Sequence, residues 1–430
     1  MKVLWIVNIN FPCVAERLGV KPPISGGWMI SLAAEITKHQ HIELTIASMY
    51  DGAAIQSFEH ERIQYILIPG GHKAMLRYQA KSENYWREVI RIVNPDLIHI
   101  HGTEYAHGLA CVNACPQIPT VVSIQGLLHV CEKNYYGGIE FKDILLFRSL
   151  RDNLLRDGIM EQKREFRKRA QYERELLNKV RHVIGRTKWD YANVCAINAD
   201  LEYHACNESM REVFYHHQWN IDSIEKCSIF VSQGSYPLKG LHFLLEAMSM
   251  VIRKYPESKL YVGGYNITDT SSINRRIRLS GYGKYLRYLI NKYELQHNIW
   301  FTGPLESTEM MERLRKSNVF VLPSLIENSP NSLAEAMLLG VPSIAAYVGG
   351  VPDMVERDLS CLLYPPNEVA VLADHIMNIF ASDELAIRLS TNGQEIAHRK
   401  YGCENNYQKL YATYQSILSP RNMEQVLLTN

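Results

Sequence analysis

The sequence has little net charge, no C-x-x-C pair and no long apolar run. Its nine cysteines (13, 111, 115, 131, 195, 206, 227, 361, 403) are odd in number and scattered. This excludes a zinc ribbon or a disulfide scaffold and reads as reduced, buried thiols in a cytosolic chain. No segment approaches the roughly 18 consecutive apolar residues that a bilayer span needs. Lys2 and the run Val3–Val7 resemble the start of a signal peptide, but the run stops at Asn8 and Asn10 with no small-residue cleavage site. The 46 Lys and Arg against 45 Asp and Glu leave a formal charge of +1. That argues against a protein holding nucleic acid by charge over most of its surface.

What is present reads as globular α/β. Hydrophobic residues make up 47% and charged residues 21% of the 430 positions, which excludes a disordered or collagenous chain and suits two domains of about 200 residues each. Val3–Val7 has the branched, apolar form of a buried parallel strand. A loop with Pro12, Pro22, Pro23, Gly26 and Gly27 follows, then helical spacing from Trp28 to His39. Leu44–Ala47, Asp96–His101 and Pro119–Ile124 read as further strands. Alternating strands and helices predict a doubly wound parallel sheet, whose ligands bind beyond the C-terminal strand ends. The candidate site loops are therefore 8–27, 101–107 and 125–131. Gly26-Gly27 directly before a helix offers close backbone approach and free N–H groups to an anion, though a plain turn fits as well. His99 and His101 share a strand face and have Glu104 and His107 nearby. A metal site there is conceivable, but hydrogen-bonding strand-end histidines are the commoner arrangement.

Residues 142–181 read as helical and basic, with 12 Lys and Arg against 7 Asp and Glu, a local +5. A solvated helix face and a surface for anionic lipid or a lipid-phosphate acceptor are the two readings. A second α/β unit starts near Lys226, with strands expected at Ser228–Ser232, Lys259–Val262, Asn298–Phe301 and Val319–Leu322. Leu241, Leu244, Leu245, Met248 and Val251 mark one helix face between them. The densest constellation lies at 323–352. Ser329 suits an N-cap, Pro330 a first helical position, and Gly340 followed by Pro342 a helix end. The helix is thus expected at about 330–339, with Glu327 before it and Glu335 inside it.

This motif, E-x₇-E between Pro-Ser and E-A-M-x-x-G-x-P, resembles the retaining glycosyltransferases of family 4, which have the GT-B fold. Lys239-Gly240, Gly303 and Gly349-Gly350 extend the resemblance, and the wording around Glu327 is similar to bacterial enzymes of capsule, O-antigen or exopolysaccharide assembly. It implies two Rossmann-like parallel-sheet domains facing a cleft: an acceptor-side domain at 1–218, a nucleotide-sugar domain at 226–400, and a C-terminal helix with tail at 401–430 returning to the first domain. Tyr407, Leu410, Tyr411, Tyr414 and Ile417 supply an apolar stripe for that docking, and 419–430 read as a loose tail.

The resemblance also implies roles. Glu327 and Lys239 would be catalytic, Glu327 touching donor-sugar hydroxyls and Lys239 countering charge on the departing diphosphate. Glu335 would hold the ribose. Asn331, Ser332 and Leu333 would face the diphosphate and sugar through their backbone. Gly303 would lie near the base, and Gly26 and Gly27 would close over the diphosphate. Many relatives carry Arg where this chain has Gly234, which leaves Gln233 or Ser235 for the phosphate. Many also carry His where this chain has Gln125-Gly126, so His129 is a candidate replacement. His101, Glu104, Gln125, Gly126 and His129 are the expected acceptor or sugar contacts. No D-x-D occurs, so no metal and no cofactor beyond the donor is expected. The implied mechanism is front-face and retaining. A sugar-nucleotide 2-epimerase of the same architecture and a non-catalytic nucleotide-sugar-binding protein are the alternatives. The expected location is the cytoplasm, at the inner membrane face if the basic segment touches lipid.

Overall fold

The computed structural model describes residues 1–24 and 26–419. It resolves into two compact units. Unit 1 comprises Met1–His129, Arg167–Met210 and the segment from Tyr401 onward. Unit 2 comprises Val130–Phe166 and Arg211–Lys400.

Unit 1 is built on β1 (Lys2–Ile6), β2 (Glu43–Tyr50), β3 (Gln56–His60), β4 (Ile63–Pro69), β5 (Leu97–His101), β6 (Thr120–Ser123), β7 (His182–Gly185) and β8 (Glu202–Ala205). Their order is β3-β4-β2-β1-β5-β6-β7-β8, parallel except for β3. Residues 3–7 are fully buried, as a central strand with helices on both faces requires. The Cys403–Ile417 helix packs on the Gly27–Lys38 helix. Its stripe enters the unit 1 core: Tyr407, Leu410, Tyr414 and Ile417 are all buried there. The Tyr414 hydroxyl accepts from Trp5 Nε1 at 3.0 Å and lies 2.6 Å from His99 Nδ1.

Unit 2 holds β9 (Glu225–Val231), β10 (Lys259–Gly263), β11 (Ile299–Gly303), β12 (Ser317–Leu322), β13 (Ser343–Ala346) and β14 (Leu362–Tyr364). They form one parallel sheet in the order β11-β10-β9-β12-β13-β14.

The observed division differs from the expected one. The chain passes between units at Met210 and Arg211, and Trp219 is already bound into unit 2, its indole donating to Ser317 O at 2.9 Å. Residues 130–166 also belong to unit 2. There Asp152 Oδ2 accepts from Gly281 N at 2.8 Å and His242 Nε2 donates to Gly137 O at 2.8 Å. The basic segment expected to be helical is three helices, Phe141–Leu146, Leu150–Leu155 and Ile159–Lys179. A capping box between Ser149 and Asp152 starts the second, and left-handed Arg156 (φ 53°) ends it. The motif helix runs Asn331–Leu338 with Pro330 rather than Ser329 at the N-cap, because Pro330 keeps an extended ψ of 117°. Gly340, at φ 76°, follows it. Of the expected tail, 420–430 lie outside the described residues.

Candidate active site

Of the residues expected to bind the donor, Gly26 and Gly27 belong to unit 1 and the rest to unit 2, where Gln233, Gly234 and Lys239 follow β9, Gly303 ends β11, and Glu327 and the Asn331–Leu338 helix follow β12. The loops after β9 and β12 are tied together. Leu325 N donates to Leu238 O at 2.8 Å. Gly240 is left-handed (φ 67°), and a Cβ there would sit 1.9 Å from Pro323 O. Only glycine permits this approach. It brings Lys239 Nζ to 2.5 Å from Glu327 Oε1. A second glycine fixes the acid from below: Gly349 (φ 52°) would place a Cβ 1.8 Å from Glu327 O, and Gly350 N donates to that same carbonyl at 3.1 Å. Burial pulls the Lys239 ammonium pKa down, but the charge of Glu327 and then the Tyr236 phenol outweigh it, so the ammonium is held above the ordinary lysine value.

Glu335 is buried in the motif helix, and its carboxylate is gripped at both oxygens by Arg211: Nε to Oε1 and Nη2 to Oε2, each 2.7 Å. Burial raises its pKa while Arg211 opposes the rise. Asn331 and Ser332 open the helix, and Leu333 N is bonded to Pro330 O at 3.1 Å. Gly303 ends β11 at φ 78° with open space where a Cβ would stand. Gln233 Nε2 donates to Ser235 Oγ at 3.3 Å, and Gly234 lies against Leu241.

The expected acceptor contacts belong to unit 1, where β5, β6 and β7 end. His101 is buried between Trp5 and Trp28, with ring centroids 4.4 and 5.3 Å away, and neither ring nitrogen has a hydrogen-bond partner. Gln125 Nε2 donates to Glu208 Oε1 at 2.5 Å, and Arg186 pairs with Glu208 Oε2 at 2.7 Å. Arg186 and Glu208 border a cavity of about 20 Å³, room for a single water, with His101, Ser123 and Trp28 in its wall. Glu104 Oε1 accepts from Gly126 N at 2.9 Å while Oε2 is buried without a partner. Burial pushes the Glu104 carboxyl up to about 7. His129 is turned inward: its Nδ1 lies 2.7 Å from Glu173 Oε1, which also accepts from His129 N. Glu173 holds this loop further through Thr103 Oγ1 and Leu128 N. Gly26 (φ 82°) caps the helix that Gly27 begins. His99, His101, Glu104 and His107 do not gather their ligand atoms into a metal cluster among the described residues; His99 instead faces Tyr414 and Ser123 at 2.6 Å each.

Sequence reasoning did not find Arg211, Arg186, Glu208 or Glu173. Arg186 follows β7, whose short apolar run His182–Gly185 is a strand signal that would have placed it at a strand end. Arg211 and Glu208 lie in irregular chain with no periodic signal.

Residues 213–396 match the family described as Glycosyl transferases group 1. A putative colanic acid biosynthesis glycosyltransferase, WcaL, of Escherichia coli is 32% identical over 134 residues, 29% of this chain and 33% of that one. The chain thus spans about a third of that relative in the match. A putative glycosyltransferase, YtcC, of Bacillus subtilis is 23% identical over 97% of this chain and 94% of its own. Among solved structures, sucrose-phosphate synthase from Thermosynechococcus elongatus aligns at TM-score 0.72 with 17% identity, over 97% of this chain and 99% of that one. Anabaena HepE in complex with UDP and glucose aligns at TM-score 0.67 with 16% identity, over 97% of this chain and all of its own (100%). These likenesses establish the fold. Residues 213–396 are a glycosyl transferases group 1 domain, carried in a chain with the GT-B fold.

Proposed function

We propose that this chain is a retaining glycosyltransferase that moves a sugar from a nucleotide-diphosphate sugar to a saccharide or lipid-linked acceptor in bacterial surface-polysaccharide synthesis, without a catalytic metal. The observation that carries the reading is the Lys239–Glu327 pair, set at 2.5 Å beside the N-terminus of the Asn331–Leu338 helix. An amine, a carboxylate and a helix terminus beyond the C-terminal ends of two neighbouring strands meet the three needs of a sugar diphosphate: countercharge, hydroxyl acceptors and phosphate N–H donors. Glu327 accepts hydroxyls of the donor sugar. Lys239 and the helix terminus stabilise the diphosphate as the C1–O phosphate bond breaks. The acceptor oxygen bonds to C1 on the face the diphosphate leaves, and its proton passes to the departing phosphate oxygen. Glu335 remains the ribose candidate, with Arg211 orienting its carboxylate. The UDP and glucose named with HepE support a nucleotide-sugar donor, and the colanic acid relative supports a surface polysaccharide product. The absence of D-x-D in the sequence supports lysine rather than metal as the countercharge.

Contact with an anionic lipid surface, and so a cytoplasmic membrane-face location, draws support from one face of unit 2. Leu150 and Leu154 are 86% and 83% exposed, and Ile273 and Ile277 stand exposed beside them. Together with Arg151, Arg276, Arg278 and Lys284 they line a groove of about 560 Å³. Apolar side chains rimmed by cations suit an anionic bilayer. No helix among the described residues is long and apolar enough to cross a membrane.

A thermal-shift screen of nucleotide sugars identifies the donor, and Glu327→Ala then tests the site. Transfer should vanish while the fold persists; unchanged transfer overturns the assignment. Conversion of donor without any acceptor points to the epimerase. Sedimentation with phosphatidylglycerol vesicles should fall when Leu150 and Leu154 become Asp. Equal binding by that variant, or self-association of the wild type in place of vesicle binding, overturns the lipid contact.

A further inference from the structure

A separate constellation lies on the other border of the unit 1 sheet. His182 begins β7 and Glu202 begins the edge strand β8; the two are register partners. His204 follows two residues along β8, so all three side chains leave the same face of the sheet. His182 Nδ1 lies 3.2 Å from His204 Nε2 and 3.5 Å from Glu202 Oε2. All three ligand atoms lie within 4.8 Å of one another. A tetrahedral zinc ion bound at roughly 2.0–2.1 Å sets neighbouring ligand atoms about 3.3 Å apart. The two measured separations bracket that spacing.

The pair of imidazoles alone does not account for the arrangement. One ring nitrogen can donate to the other at 3.2 Å, but Glu202 Oε2, at 3.5 Å, is then beyond a good hydrogen bond to His182. A cation between the three atoms satisfies all of them. The outer oxygen of Glu202 is already occupied: Oε1 accepts from Arg181 through Nε at 2.8 Å and through Nη2. Arg181 therefore orients the carboxylate with Oε2 toward the histidines, the arrangement that outer partners impose on metal ligands. His182 is buried while Glu202 and His204 are half-buried, which leaves an entry for an ion and for a water as fourth ligand. The other metal-competent group among the described residues, Glu35, His39 and Glu404, is spoken for differently: Lys38 binds Glu35 at 2.7 Å and His39 lies flat on Tyr407.

We propose that His182, Glu202 and His204 form a divalent-cation site, with zinc the ion that two imidazoles and one carboxylate suit. The ion would clamp β8, which has a hydrogen-bonded neighbour on one side only, onto β7. Its role is structural: none of the three residues belongs to the donor or acceptor groups described above, and the site stands whether or not the chain transfers sugar.

The test uses the full chain, stripped with a chelator and then titrated with zinc chloride by calorimetry, with thermal unfolding followed in parallel. One equivalent should bind and raise the unfolding temperature. His204→Ala and Glu202→Gln should each weaken binding by more than the roughly 10- to 100-fold that loss of an outer partner costs. Arg181→Ala should fall within that range. No saturable equivalent, or equal affinity in His204→Ala, overturns the site. Cobalt in the wild-type chain serves if a variant fails to fold: a visible spectrum of four-coordinate intensity is expected, and a six-coordinate one overturns the geometry.

Discussion

Replacing Lys239 by Met removes the ammonium and keeps most of the stem's bulk. In the structure that charge is paired with Glu327 at 2.5 Å. In the reaction the charge faces a phosphate oxygen that gains charge as the sugar leaves. A unit charge about 4 Å away, at an effective dielectric near 20, contributes roughly 4 kcal/mol. At about 1.36 kcal/mol per tenfold, that is a loss of roughly 10²- to 10³-fold in kcat, the range seen for removal of one preorganised donor. The fold should tolerate the change. The side chains of Lys239 and Glu327 are 20% and 13% exposed, so water can reach the orphaned carboxylate. A stability loss of about 1–3 kcal/mol is expected from the carboxylate left without its partner, so kcat is compared only on folded protein. The assay is nucleotide release at saturating donor and acceptor, with a melting curve on the same sample. Lys239→Arg, which keeps the charge but spreads it over a planar fork, should fall between wild type and Met. A Met variant that folds and retains kcat within about tenfold refutes the assignment of the lysine to the departing diphosphate.

Glu104→Gln should stabilise unit 1 at high pH. The folded carboxyl titrates near 7 against an ordinary 4.5, so the folded chain holds a proton that the unfolded chain loses in that window. Stability from this group therefore falls as pH rises from 4.5 to 7 and stays low above it, a cost of about 3 kcal/mol that Gln avoids. Urea melts should show the gain at pH 8 and none near pH 4.5; a gain at both would refute the burial argument. Gly349→Ala should displace Glu327, whose carbonyl would lie 1.8 Å from the new Cβ, and cost about 10²-fold in kcat with donor affinity lowered less. Tyr414→Phe should orphan the Trp5 and His99 partners, at about 1–3 kcal/mol for each buried group, measured by denaturant unfolding.

Three strands were legible because each is a short apolar run that stops at polar residues or proline. Val3–Val7, Asp96–His101 and Val319–Leu322 are all observed within a residue or two. The motif at 323–352 was legible as a strand, loop and capped helix, and its Lys239–Glu327 partnership needed only the two loops to be tied. What sequence could not show is long-range. Arg211 reaches Glu335 across 124 residues, and Glu173 secures the loop at Leu128 and His129 from 45 and 44 residues away. No local pattern encodes such partners. The assignment of 130–166 to unit 2 has the same cause: the segment is placed by Asp152 and Gly137 bonds to distant residues, not by its own composition. β8 carries no strand signal, because its four residues, Glu202–Ala205, hold glutamate and histidine and no apolar run.

The segmented make-up of unit 1 has a consequence for how the chain is made. Its sheet begins at Lys2, but the helix bearing Tyr407 and Tyr414 begins only at Cys403. A ribosome adding about 5–20 residues per second needs some tens of seconds to travel from the end of the first segment at His129 to Tyr401. For that interval Trp5 and the inner face of the Gly27–Lys38 helix lack the cover that Tyr407, Leu410, Tyr414 and Ile417 give them. The two segments of unit 2, by contrast, are complete by Lys400, before the first unit can close. A stop codon shortly before Cys403 would strip the cover from β1, which lies far earlier in the chain.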